Sequence, residues 1–295
     1  MQLNSTKEYQ NDHSDRQRIS NNRICIFDIE YEEAVEICTN SIFLTNFDGL
    51  SQLNFDNTLY LCGGSLSEIA TGSYFLKYEP NKMSNNLQIL VNSIQHHYLP
   101  AMISYKQEHI FIVGGLKTKS AEFYNLKTNR WRSLPDIDEE RFNCMGIADE
   151  ANEMIYIFGG YNTESNQNSS TIIRMNFRTF LVWESITVKS NPQLLAKSQC
   201  AIFKFEKEEC IYLLGGKDSR SNITDEIVEY DLTENQVSIV DKKLEIRGAF
   251  CSQGEADLNK GEFFFFDVNF NVHRLSKNDF KINLYKYEDI VSYYD

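Results

Sequence analysis

Short apolar runs separated by polar, turn-forming residues recur along most of the chain, and nothing between them has the period of a helix. Four of these runs end in a glycine doublet: Leu59 to Gly64, Ile110 to Gly115, Ile155 to Gly160 and Ile211 to Gly216. A fifth run, Phe263 to Phe266, is followed by Asp267 rather than by glycine. The pattern predicts a β-strand that is repeated at intervals of about 50 residues.

Each doublet strand is preceded by one predicted strand and followed by two. In the most regular repeat, Gly114-Gly115 is followed by runs from Ala121 to Asn125 and from Trp131 to Leu134. Four short strands per repeat are typical of a propeller blade, whereas a β-sandwich would not require the same run at a fixed interval. The predicted blades cover about residues 41–93, 99–135, 141–188, 197–240 and 247–287.

The recurring residues have physical roles in such a blade. Glycine tolerates a positive φ angle and lets another backbone approach closely where a strand ends. A large residue ends the third strand and a tryptophan or a substitute begins the fourth, as in Tyr124 and Trp131 or Tyr230 and Val237. We expect these side chains to fill the space between neighbouring blades.

On these residues the chain resembles the kelch-repeat proteins, whose blades carry a Gly-Gly doublet, a downstream tyrosine and a spaced tryptophan. The resemblance covers about residues 23–287. The chain departs from the family pattern in the fifth repeat, which has Phe266-Asp267 in place of the doublet. The spaced tryptophan is present only in the second and third repeats, as Trp131 and Trp183. The third repeat also has one extra residue in its turn. The resemblance implies an all-β fold, a kelch-type β-propeller.

The way in which the propeller closes is less clear from the sequence. Residues 23–37 predict two strands without a doublet, so five four-stranded blades and this pair predict six blades, one of them incomplete. In that arrangement residues 23–37 form two outer strands, and residues 288–295 add one inner strand. The alternatives are five blades with an added hairpin, or a shortened form of a longer chain. Residues 1–22 are predicted to be a flexible polar tail, and residues 23–295 the propeller.

Composition narrows the classes of partner. With 42 acidic and 29 basic residues the net charge is −13, which disfavours nucleic acid and anionic membrane surfaces. The chain has no apolar run of membrane-spanning length and no secretory signal, so we expect a cytoplasmic protein. Seven cysteines without a Cys-x-x-Cys pair suggest neither a disulfide framework nor a zinc site. No cofactor is expected, and the sequence does not indicate an oligomeric state.

Three cysteines occupy the same position in consecutive blades, on the predicted first strand: Cys144, Cys200 and Cys251. One interpretation is a ring of thiols that binds a metal or senses oxidants. The other is that each is a small, buried side chain that packs between blades. We favour packing, because the first strands of neighbouring blades should stand too far apart for shared ligation.

Candidate partner-binding residues lie where each first strand begins. Arg141 and Arg247 begin the first strands of the third and fifth repeats, and Lys197 lies at the start of the fourth. In kelch domains that resemble this chain, an arginine there faces the mouth of the ring and reads acidic peptides. The alternative is a solvated charge, or an ion pair with an acidic neighbour such as Glu139 or Glu245.

Two polar loops after the doublets are further candidates, residues 161–170 with Tyr161 and residues 217–222 with Arg220. Loops on a rigid scaffold carry a disproportionate share of binding residues. In the resembling family these loops share a face with the arginines. Simple length variation between loops is an equally good explanation.

The sequence therefore predicts a non-enzymatic module that binds a protein or peptide, of acidic character if the arginines read it. The resemblance adds the roles of substrate adaptor or scaffold. No nucleophile, base and orienting group recur together, so no catalytic residue is predicted. The alternative is a propeller enzyme that acts at the channel mouth, although the sequence lacks the Ser-x-Asp-x-Gly-x-Thr-Trp box of the sialidases.

Overall fold

The computed structural model describes residues 2–4, 22–28, 33–39, 49–55, 58–64, 72–79, 87–179, 182–205, 208–244, 247–248, 255–257, 262–266, 272–276, 282–285 and 291–292. Three residues named above lie outside these ranges: Glu245, Cys251 and Asp267. Most of residues 1–22 lie outside them as well.

Five antiparallel sheets of four strands follow one another along the chain, each in up-and-down order. This arrangement confirms the prediction of an all-β propeller of four-stranded blades. The blades are numbered here in chain order. Blade 1 contains Leu50–Phe55, Thr58–Gly63, Tyr74–Tyr78 and Gln88–Ile89; blade 2 contains Ala101–Tyr105, His109–Val113, Ala121–Asn125 and Arg130–Leu134; blade 3 contains Met145–Asp149, Met154–Phe158, Ile172–Asn176 and Glu184–Ile186; blade 4 contains Ala201–Phe203, Cys210–Leu214, Glu226–Asp231 and Gln236–Lys243; blade 5 contains Glu255–Asp257, Glu262–Phe266, Val272–Ser276 and Ile282–Tyr285.

A sixth sheet joins the two ends of the chain and differs from the prediction. Its strands run in the order Gln2–Asn4, Asn22–Asp28, Glu33–Thr39 and Val291–Ser292. The predicted pair is therefore central rather than outer, and the last strand pairs with Glu33–Thr39 in parallel. Gln2–Asn4 was expected to belong to a flexible tail, yet it pairs with Arg23 to Cys25. An edge strand needs only main-chain hydrogen bonds, so a polar segment can form one.

Apolar residues are buried on both sides of each central strand, which explains why the runs are continuous rather than alternating. In His109–Val113, Phe111 and Val113 pack with residues of blade 3. Ile110 and Ile112, on the opposite side, pack with residues of blade 1. The core thus lies between neighbouring blades, as the repeat pattern predicts.

The fourth strands are tied to the preceding blade by hydrogen bonds. Trp131 donates its indole N–H to the carbonyl of Val91 at 2.7 Å, and Trp183 donates to Pro135 at 2.9 Å. Blade 4 has Val237 in place of tryptophan, and there Asn235 donates to the carbonyl of Thr187 at 2.7 Å. Trp131 also fills the gap between blades, since its ring lies 5.0 Å from that of Phe75.

Three of the four doublets are tied to the next blade. In these the second glycine donates its N–H to a carbonyl just before the following first strand, as Gly115 does to Arg141 and Gly160 to Lys197, both at 2.8 Å. Gly64 instead donates to Gly49 of its own blade. The first glycine has a positive φ, 69° at Gly114, and a Cβ atom there would lie 2.5 Å from the carbonyl oxygen of Arg141. The doublet is glycine because a neighbouring backbone occupies the space of a side chain.

A second set of main-chain bonds links the starts of the first strands. Leu99 donates its N–H to Gly49 at 2.8 Å, Asn143 donates to Leu99 at 2.9 Å, and Gln199 donates to Asn143 at 3.1 Å. All four residues have a positive φ angle. We call this head-to-tail series of Gly49, Leu99, Asn143 and Gln199 the backbone ring. It connects blades 1 to 4.

Candidate functional site

One end of the propeller carries the loops that follow the doublets and the segments that precede the first strands. We call it the loop face, and in the described residues it comprises residues 116–120, 136–143, 161–171, 192–199, 217–225 and 247–248. Because second strands end here and first and third strands begin here, all the predicted partner-binding residues lie on it.

Arg141 is buried within its own blade. Its guanidinium donates to the carbonyl of Thr171 at 2.9 Å and to the Thr171 hydroxyl at 2.6 Å. It also pairs with Glu139 at 3.0 Å. With 0% of its surface exposed, Arg141 does not present its charge to a partner. The expected outward-facing role is corrected to the alternative, an ion pair within the blade, because Thr171 and Glu139 bind the two terminal nitrogens of the guanidinium.

Lys197 occupies the equivalent position in blade 4, and its side chain also bonds within its own blade. It is buried, and its Nζ donates to Thr224 at 3.0 Å and to the Glu226 carboxylate at 2.9 Å. In blade 2 this position is taken by His97, which is also buried and lies 2.8 Å from a carboxylate oxygen of Glu122. These three side chains attach the start of the first strand to the start of the third strand in each blade.

Arg247 differs, because its side chain is 71% exposed. Its Nε lies 3.8 Å from a carboxylate oxygen of Asp225. Lys243, whose side chain is 66% exposed, lies 3.4 Å from the other oxygen of the same carboxylate. Two exposed cations therefore share one partly buried anion. Ion pairs this exposed are weak, so both cations remain available to a partner.

The loop that follows the third doublet forms a small hairpin, in which Tyr161–Asn162 pairs with Gln167–Asn168. The Tyr161 hydroxyl donates to Asn166, which has a left-handed φ of 57°. The Asn162 side chain accepts the N–H groups of Glu164 at 2.8 Å and Ser165 at 3.0 Å. Residues 163–167 are exposed. The tip is thus ordered by local hydrogen bonds while its side chains face solvent.

The acidic segment before blade 3 holds this hairpin in place. Glu139 accepts hydrogen bonds from Ser169 at 2.6 Å and from Asn162 at 3.3 Å. Glu140 is buried and accepts from both the N–H and the hydroxyl of Thr163. Burial opposes ionisation of Glu140, but these bonds and further backbone N–H groups outweigh it and lower its pKa.

The loop of residues 217–222 is also preformed. The Asp218 carboxylate accepts the N–H groups of Arg220 and Asn222, both at 2.8 Å. Burial opposes its ionisation, but these bonds lower the pKa of Asp218. Lys217 makes single bridges with Ser198 and Ile223. Arg220 is exposed at the tip.

Asn168 connects the two loops. Its side chain is buried, and its amide nitrogen donates to the carbonyl of Asp218 at 2.8 Å. The carbonyls of Lys217 at 3.3 Å and Ala196 at 3.4 Å lie close to the same nitrogen. Sequence reasoning missed this residue. Its only signal was a position inside a polar loop, which does not reveal that the next blade supplies the acceptors.

The cysteines have the packing role that we favoured, as far as the structure describes them. Cys144 and Cys200 are 8% and 4% exposed. Burial raises the pKa of Cys144 to about 11 and that of Cys200 to about 12. A Cβ atom added to Gly160 would lie 2.6 Å from the Cβ of Cys144, so the close contact of the two residues requires glycine at position 160. Protonated thiols are poor metal ligands and weak nucleophiles.

Two absences among the described residues bear on the site. Among the described residues, no group of three or more His, Cys, Asp or Glu side chains is arranged to hold a metal ion. In the same ranges, no helix combines the length and the hydropathy that crossing a bilayer requires.

Comparison with known proteins gives one finding that bears on the family. No protein-family model matches the chain. A kelch repeat-containing protein of Dictyostelium discoideum is 27% identical to it over an alignment of 221 positions that covers 67% of this chain and 31% of the relative. The chain therefore spans about a third of the length of the curated relative that it matches.

Proposed function

The chain is a kelch-repeat β-propeller, and from this premise we propose that it is a non-enzymatic interaction module that binds a protein or peptide through the loop face. The observation that carries the proposal is the pair of ordered loops with exposed tips, at residues 163–167 and 219–223. A preformed loop loses little conformational entropy on binding, so its polar side chains contribute more affinity.

The partner in this proposal has an acidic segment. Arg220 and Arg247 are exposed on the loop face of a chain whose net charge is −13, and Lys243 is exposed at the end of the strand that leads to this face. The only carboxylate that the structure pairs with Lys243 and Arg247 is that of Asp225, among the described residues. Local positive charge on an acidic protein steers an acidic partner to this face and away from the rest of the surface. Adaptor and scaffold roles are both compatible with such binding.

A differential capture experiment tests the proposal. Intact protein is compared with an Arg220→Ala/Arg247→Ala double variant and with Arg178→Ala, which removes an arginine that pairs with Glu153 at the opposite ends of the strands. We expect wild type and Arg178→Ala to retain the same partner, and the double variant to retain about tenfold less at low salt.

Lysine cross-linking of the captured complex locates the contact. We expect cross-links at Lys217 or Lys243 and none at Lys127, whose exposed side chain lies at the far end of blade 2. Cross-links mainly at Lys127, or equal capture by all three proteins, would refute the loop face as the binding surface. Turnover in a panel of hydrolase substrates would instead favour an enzyme.

A further inference from the structure

We propose that Asn168 is a positioning residue, which locks the loops of residues 161–170 and 217–222 into one rigid surface across blades 3 and 4. The contribution of Asn168 to partner recognition rests on the proposed function, whereas its role in holding the two loops together does not. The two loops are far apart in the sequence, and the Asn168 amide reaches from one hairpin to the turn of the other.

The geometry around Asn168 supports a lock rather than a chance contact. Three carbonyl oxygens, from Ala196, Lys217 and Asp218, lie within 3.4 Å of one amide nitrogen. The residue is only 8% exposed. The Lys217 carbonyl already accepts the N–H of Ser198 at 3.0 Å, so the amide of Asn168 mainly serves the carbonyls of Ala196 and Asp218. A buried carbonyl without a donor is costly.

Each loop is already rigid on its own side of this contact. The N–H of Ser169, the next residue, bonds to the carbonyl of Gly160 at 2.8 Å, which fixes the base of the first hairpin to the doublet. Asp218 organises the second loop through Arg220 and Asn222. Asn168 therefore joins two ordered units, and a change at this residue alters their relative position rather than their internal fold.

The joined tips have the composition of a recognition surface. The exposed residues 163–167 and 219–223 are rich in Ser, Thr and Asn, with Arg220 and the 41% exposed Ile223 among them. Small polar side chains supply adaptable hydrogen bonds, and arginine supplies a strong anchor. Fixing the distance between the tips lets a partner contact both at once without ordering either.

Limited trypsin digestion of the intact protein measures the lock directly, because trypsin cleaves after Arg220. Asn168→Ala removes the donor, and we expect cleavage after Arg220 to become about fivefold faster, since cleavage follows the population of the open loop. Cleavage after Arg178, which lies in an exposed turn at the opposite ends of the strands, is the internal reference and should not change. Gln167→Ala, an exposed neighbour in the same hairpin, serves as the matched control and should behave as wild type.

Asn168→Asp allows a second measurement, the pH dependence of amide exchange. A merely structural role of Asn168 would not produce such a dependence. A carboxylate facing three carbonyls repels them, so amide exchange in residues 219–222 should be faster than in wild type at pH 7. At lower pH the protonated acid regains a donor, and exchange, corrected for its intrinsic rate, should approach wild type near pH 5. Equal effects of Asn168→Ala and Gln167→Ala, or equal acceleration after Arg178, would overturn the proposal. Failure to capture any partner would leave this result untouched and count only against the proposed function.

Discussion

Arg141 and Lys197 show that a charged side chain near the mouth of a propeller can be structural. Both are buried, and both bond to the residues that begin the third strand of their own blade. The desolvation of a buried cation is tolerable only when acceptors surround it. Among the three predicted cations that lie where first strands begin, Arg247 is the one that has no such enclosure and keeps its charge at the surface.

Residue-level burial also predicts the reactivity of the thiols. Cys144 and Cys200 should react with iodoacetamide much more slowly than a free thiol at pH 8, because burial raises the pKa of both well above that pH. Mass spectrometry of native and unfolded protein checks this. Both residues should be labelled rapidly only after unfolding. Rapid labelling of either cysteine in the folded protein would contradict the packing role.

The outcomes for these residues separate what a sequence can predict from what it cannot. The doublets and the Tyr124 and Trp131 pair are local patterns, so the strands they mark were predicted to within a few residues. The burial of Arg141 depends on Thr171, which is 30 residues away along the chain. The role of Asn168 depends on Asp218, 50 residues away. No local pattern encodes such a pairing.

At the scale of the strand, tryptophan is both a filler and a hydrogen-bond donor. Trp131→Phe keeps a ring near Phe75 but loses the bond to Val91, so we expect unfolding free energy to fall by about 1 kcal/mol. Trp131→Ala also loses the ring contacts, and should cost about 3 to 4 kcal/mol. Denaturant titration measures both, with Ser133→Ala as an exposed control on the same strand. Equal losses in the two tryptophan variants would show that the hydrogen bond, not packing, dominates.

The strand that ends in a doublet also depends on its glycines. Gly114→Ala should cost about 3 kcal/mol or more, because its Cβ meets the Arg141 carbonyl and its φ is positive. Asn166→Ala is the comparison, since it places alanine in a left-handed, exposed position without such a clash, although it also removes the acceptor of the Tyr161 hydroxyl. We expect it to cost about 1 kcal/mol. Thermal or denaturant unfolding compares the two. Similar costs would mean that conformation, rather than close backbone approach, explains the doublet.

The whole molecule should lose stability as the solution becomes acidic, in part through His109. Burial is the main cause that lowers the pKa of His109, with Lys127 adding to it and Glu108 opposing it. The folded state therefore binds this proton less readily than the unfolded chain. Stability is fully present above the ordinary histidine pKa of about 6.5 and is lost as the pH falls through it. His96, whose pKa burial also lowers, contributes in the same direction.

Unfolding titrations between pH 8 and pH 5 measure this dependence. The slope of unfolding free energy against pH should be shallower in His109→Gln than in wild type, since the variant has one fewer group that takes up a proton on unfolding. An unchanged slope would show that the side chain titrates alike in the folded and unfolded states.

The backbone ring has a consequence for how such a protein can diversify. Leu99, Asn143 and Gln199 join the blades through peptide groups, and their three side chains are chemically unlike and all partly exposed. The main-chain hydrogen bonds at this end of the molecule therefore depend little on which side chains these residues carry, provided that each residue can adopt a positive φ angle. Mutation can thus change the side chains that this end of the molecule exposes while the main-chain hydrogen bonds that join the blades remain the same.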